Sequence, residues 1–142
     1  MTRTEIRELT FELLYSLEIQ KIKQKEYNEQ IELFLIEQNI NKEKLKTYMI
    51  ETVNGIVKNK EKILELISQN LKEKWNISRV SKINLTLLKL ATYEIMYTEL
   101  PYKVVVNEAV EIAKKYGNYT SPAFINGVLA NIIKQTGIAN EE

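Results

Sequence analysis

The chain contains no cysteine, no histidine and no aspartate. Without thiols or imidazoles it can build no disulfide, no Cys/His zinc site, no cysteine nucleophile and no histidine general base. All 19 acidic residues are glutamates, which argues against an aspartate-built magnesium site or nucleotide-hydrolysis centre. The only four glycines, at 55, 117, 127 and 137, lie too far apart to form a phosphate-cradling loop. Catalysis would have to rest on Glu, Lys, Tyr and Ser, so the expectation is a protein with no enzymatic activity. No apolar run approaches the roughly 18 residues that span a bilayer. The opening "MTRTEIRELTFELLY" breaks its apolar positions with charges and is no signal peptide. A cytoplasmic protein without a membrane segment is expected.

What is present has the balance of a globular domain. The 142 residues are 44% hydrophobic and 27% charged, with 20 basic against 19 acidic side chains and a net charge of +1. That field is too weak for indiscriminate nucleic-acid binding and leaves room only for a local basic patch. The segments "KIKQK", "NKEKLK" and "KNKEK" interleave Lys with Glu or end helices, and they read as solvated surface. No repeat, low-complexity segment or Pro/Gly linker interrupts the chain. One domain over 1–142 is expected, with the connector at 74–81 dividing two packed halves.

Helical periodicity runs almost throughout. Thr2 and Glu5 have capping-box spacing, with Met1 and Ile6 placed as its hydrophobic staple. Ile6, Leu9, Leu13 and Leu17, widened by Phe11, Leu14 and Tyr15, predict a first helix to about residue 23. Further helices follow at about 27–38, 42–58 and 61–73, with a bend near Asn59. "KWNISRVS" breaks the period and reads as a connector anchored by Trp75. Ser81 is the expected N-cap of a helix over about 82–98, which Pro101 ends. Ser121 followed by Pro122 reads as the N-cap and first position of a last helix, closed by Gly137.

The stretch "YKVVVNEAVEIAKKYG" opposes propensity to period. Three consecutive valines favour a strand, yet Val106, Ala109, Val110 and Ala113 share one helical face, bordered by Val105, Ile112 and Tyr116. No other segment alternates with period two, so a strand here would have no partner for its backbone groups. A helix over about 103–116, stopped by Gly117, is predicted. The fold class is all-α, with about seven helices and short loops.

A few positions invite function. Gly55 and Gly127 sit inside helices, where glycine costs about 1 kcal/mol relative to alanine. Either a neighbouring helix crosses closely there or a ligand backbone approaches. Arginine occurs only at 3, 7 and 79. Arg3 and Arg7 lie four residues apart on one face and suit bidentate capture of phosphate or carboxylate, or else form ordinary surface pairs with nearby glutamates. Tyr15, at the edge of the apolar stripe, can stack on an unpaired base or can be a core residue with its hydroxyl at the surface. Glu94, within "LATYEIMY", reads as a carboxylate held by a partner.

Five motifs in order carry a family resemblance: "IRELTFELLY", "YMIETVNGIV", "RVSKINLTLLKLATYEI", "PYKVVVNEAVEIAKKYG" and "SPAFINGVLANI". Together they span nearly the whole chain, which resembles the NusB family of bacterial transcription antitermination factors. The resemblance implies a helical fold of two subdomains that binds boxA RNA with the ribosomal protein NusE, joins the RNA polymerase antitermination complex and uses no cofactor. It implies Arg3, Arg7, Tyr15 and Phe124 as RNA contacts, and Asn84, Lys89 and Thr120 as positions that meet NusE. The family's first helix often carries an arginine cluster, and here Glu5 lies between two arginines. Fewer cations predict weaker RNA binding by the isolated protein. Asn84 and Ala130 stand where aspartate is common and Lys89 where arginine is common, and the swaps at 84 and 89 weaken expected partner ion pairs. Two other roles fit the same fold. One is an accessory module of a ribosomal RNA methyltransferase, which the chain's end five residues after Gly137 argues against. The other is a homodimer, either purely structural or paired through the RNA-binding face.

Overall fold

The computed structural model describes residues 1–72 and 76–141, with side chains up to residue 139. Trp75 lies outside the described residues. Seven α-helices occur among them, with three short 3-10 turns and no strand. The helices are α1 (Arg3–Ile19), α2 (Tyr27–Glu37), α3 (Glu43–Lys58), α4 (Lys60–Gln69), α5 (Lys82–Tyr97), α6 (Tyr102–Tyr116) and α7 (Ser121–Thr136). The chain forms two compact units, Met1–Gly55 and Ile56–Glu142. Their boundary falls inside α3 and not at the connector, where the sequence suggested a division.

In the first unit, α1 starts from the capping box: Thr2 Oγ1 accepts from the Glu5 amide at 3.1 Å, and Glu5 Oε1 accepts from the Thr2 amide at 3.3 Å. The helix ends at Ile19, four residues before the predicted end. Lys21 takes a left-handed conformation (φ 53°), and the Ile22 amide turns back onto the Leu17 carbonyl at 3.0 Å. Asn39 (φ 53°) ends α2 in the same way, with the Ile40 amide on the Leu35 carbonyl at 2.9 Å. These are Schellman closures with Lys and Asn where glycine is usual. They recur because Ile22 and Ile40 both pack on the unit's core, the first partly and the second fully buried. Ile6, Leu13, Leu17, Ile31, Leu35, Met49 and Val53 fill that core.

In the second unit, α5 packs against α4, α6 and α7. Its buried residues run from Thr86 to Ile95, broken only by the half-buried Lys89, as expected of a helix covered on most sides. Ser81 caps it, its Oγ accepting from the Asn84 amide at 3.1 Å. The three valines are helical: α6 begins at Tyr102, and the Val104 and Val105 amides bond the Pro101 carbonyl. The fully buried positions are Val105, Ala109, Ile112 and Ala113, whereas Val106 and Val110 are half-buried. The inward stripe therefore sits slightly to one side of the predicted one. At the other end of α6, Ser121 is not the N-cap of α7, as expected, but its first residue, following Thr120. Its hydroxyl is turned back to accept from the Asn118 amide at 3.1 Å, and no N-cap side chain bonds the turn ahead. Gly137 closes α7 in the left-handed region (φ 73°), as predicted.

Candidate nucleic-acid and partner interface

In the first unit the two arginines of α1 converge on one ring of α3. Arg3 Cζ lies 5.1 Å from the Tyr48 ring centroid and Arg7 Cζ 6.0 Å from it. The two arginines differ in access. Arg3 is exposed, but Arg7 is only 2% exposed, so the expected surface contact between Arg7 and RNA is not open to it. The physical reason is visible in the register: Thr10 and Phe11, one turn along the same face, are also buried. Tyr15 is half-buried and stacks on Phe11, with centroids 6.3 Å apart and planes inclined at 23°.

In the second unit a cavity of about 700 Å³ gathers three of the four residues chosen from the sequence there: Asn84, Thr120 and Phe124. Lys89, half-buried on α5, stays outside its lining. The turn between α6 and α7 forms part of the wall and is tightly bonded. Asn118 Oδ1 accepts from the Thr120 amide at 2.9 Å and from the Thr120 hydroxyl at 2.6 Å. Phe124, half-buried one turn into α7, offers part of its ring to the space. Asn84 Oδ1 is buried on the wall with no hydrogen-bond partner among the described residues. Such an acceptor carries a desolvation cost that a ligand donor would relieve.

The sequence reading gave no role in this wall to Arg79, Lys72 or the asparagines at 70, 118 and 131. The two cations can meet phosphates, while the amides can donate to and accept from base edges or peptide groups. The one available signal was the scarcity of arginine, which set Arg79 apart without indicating a site. Gly127 also lines this cavity, and a Cβ built on it would meet nothing within 4 Å. The close helix crossing considered for Gly127 is therefore absent. Glu94 is buried, as expected of a held carboxylate, and takes part in a polar or ionic contact. Among the described residues no helix is long and apolar enough to cross a membrane.

A model of the NusB family matches residues 4–134. The transcription antitermination protein NusB of Clostridium novyi is 46% identical over 135 residues, covering 94% of this chain and 99% of that protein. Its counterpart in Lachnoclostridium phytofermentans is 38% identical over 134 residues, with the same coverage of both. Among solved structures, T. maritima NusB superposes with a TM-score of 0.84 at 34% identity, covering 94% of this chain and 92% of the other. A structure of antitermination factors NusB and NusE in complex with dsRNA gives a TM-score of 0.82 at 25% identity, covering 95% and 99%. Helix order, motifs and near full-length identity agree, and the chain belongs to the NusB family.

Proposed function

We propose that this chain is a non-enzymatic transcription antitermination factor of the cytoplasm. It binds boxA RNA of ribosomal RNA operons together with ribosomal protein NusE and promotes read-through by RNA polymerase. The observation that carries the reading is the near full-length likeness to NusB proteins, among them one solved with NusE and dsRNA. The site chemistry supports it. Arg3 meets phosphate, Tyr15 and Phe124 stack on unpaired bases, and Asn84, Lys89 and Thr120 face NusE. The backbone phosphates supply most of the affinity and the aromatic rings supply sequence-tolerant stacking.

A single exposed arginine on α1 makes the isolated protein a weak RNA binder, and NusE adds the missing surface. Two ligands that favour each other's binding do so reciprocally. Fluorescence anisotropy on a labelled boxA oligonucleotide, with and without NusE, is the test. Affinity rises with NusE, and Phe124→Ala weakens it by roughly 5- to 150-fold, the equivalent of about 1–3 kcal/mol of stacking. Unchanged affinity on adding NusE counts against the reading. Light scattering addresses the homodimer: RNA dissolves a dimer paired through the RNA-binding face, and a dimer that persists with RNA bound is structural.

A further inference from the structure

We infer that Tyr48 is a positioning residue for RNA binding, a ring platform on α3 that holds the exposed Arg3 guanidinium ready for a phosphate, with the buried Arg7 bracing the same ring. The inference rests on the RNA-binding reading above and adds to it a residue that contacts no RNA itself.

The platform is fixed from below. Tyr48 packs against the first unit's core, next to the fully buried Met49 and one turn from Leu45 and Thr52. Arg7, at 2% exposure, lies 6.0 Å from the ring centroid and adds a second cation to the electron-rich ring. Arg3, one turn earlier on α1, is exposed and 5.1 Å from the same centroid. A guanidinium beside an aromatic ring is held by the attraction of its charge to the electron-rich face, and its N–H donors can still meet phosphate oxygens. A freely rotating arginine would have to be immobilised when RNA arrives; one already held beside a ring has part of that ordering done beforehand. The nearest glutamate along the helix is partly engaged elsewhere. Glu5 Oε1 is committed to the helix cap, accepting from the Thr2 amide at 3.3 Å and the Thr2 hydroxyl at 3.2 Å. A chain with one exposed arginine on this helix gains more from fixing it than one with a whole cluster.

The test is a double-mutant cycle in the full chain: Arg3→Ala, Tyr48→Leu and the two combined, with Tyr48→Phe as the conservative control. Binding to fluorescein-labelled boxA RNA is read by anisotropy across a salt series. Arg3→Ala lowers the magnitude of the log–log salt slope by about 0.7, the share of one phosphate on a single strand. Tyr48→Leu weakens binding roughly two- to five-fold, Tyr48→Phe leaves it unchanged, and Tyr48→Leu added to Arg3→Ala costs nothing further. An equal loss from Tyr48→Leu in both backgrounds makes the ring a structural residue and overturns the inference. So does wild-type affinity in Tyr48→Leu. Wild-type affinity in Arg3→Ala overturns it too and removes α1 from the RNA site, while a loss in Phe124→Ala still upholds the functional reading. Absence of any RNA binding by the wild-type chain with NusE present overturns that reading itself.

Discussion

Replacing Gly117 by alanine destabilises the second unit, for a reason unrelated to backbone freedom. Gly117 has φ −88° and ψ −170°, an extended conformation open to any residue. What forbids a side chain is proximity. A Cβ at this position would lie 2.9 Å from the Ala113 carbonyl oxygen and closer still to the Ser121 side chain. The carbonyl belongs to the last turn of α6 and accepts from the Gly117 amide at 2.9 Å, so it cannot retreat cheaply. Ser121 must therefore move, and its hydroxyl then loses the Asn118 amide now held at 3.1 Å. Overpacking costs about 1–3 kcal/mol and the lost hydrogen bond about 1 kcal/mol. The stiffer unfolded chain returns about 0.4–1 kcal/mol, leaving a net loss of about 1–3.5 kcal/mol. At about 2.1 cal/mol/K per residue of unfolding entropy, each kcal/mol lowers the melting temperature of a chain this long by roughly 3 °C. Circular dichroism melts measure it directly. Adding Ser121→Gly to Gly117→Ala removes the two closest of the colliding atoms and restores part of the loss. Full wild-type stability in Gly117→Ala refutes the steric argument, and so does a double variant that is worse than the sum of the two single ones. The same turn holds Asn118 and Thr120 on the cavity wall, so Gly117→Ala also disturbs that wall.

Gly127→Ala has the opposite sign: with nothing within 4 Å of the new methyl, α7 gains about 0.5–1 kcal/mol of helix propensity, and a lowered urea midpoint would contradict the open space seen there. Lys21→Gly relieves a left-handed lysine that costs about 1–2 kcal/mol, less about 0.5–1 kcal/mol for glycine's own entropy. Its urea midpoint rises, whereas Asn39→Gly gives less because asparagine tolerates the left-handed region. Burial pushes the Tyr27 hydroxyl above its usual 10.0, and the Glu18 carboxylate adds to the shift. Because the folded chain holds this proton more tightly, its contribution is complete below about pH 10 and is lost as pH rises through the folded value. Urea midpoints across that range fall less steeply in Tyr27→Phe. Arg7→Ala lowers stability by about 1–3 kcal/mol through lost buried packing, and Arg3→Ala stays within about 0.5 kcal/mol of wild type. Equal melts for the two would mean that the difference in burial carries no energy.

What the sequence could and could not disclose follows from the range of each signal. Helix existence is local, and the period of α6 outweighed three valines because no second strand was on offer to pair with them. Helix ends are less local: nothing in "EIQKIK" marks Lys21 as left-handed, since the turn is imposed by Ile22 packing onto the core. The N-cap of α7 was misread for a similar reason, because a serine before proline can also bond backwards, and Asn118 with Gly117 makes that the closer option. Arg7 is the instructive case. Spacing correctly put it on one face with Arg3, but a helix that buries more than one face makes a shared face no evidence of exposure. The decisive neighbours were present in the sequence. Thr10, Phe11 and Leu14 follow Arg7 at three, four and seven residues, so the arginine lies on the stripe that Phe11 widens. A guanidinium on an apolar face is covered or snorkels outward, and α1 has room for one arginine of each kind. That division of labour, one cation inside bracing a ring and one outside beside it, makes Tyr48 the residue whose removal separates a helix that merely carries an arginine from an organised RNA contact.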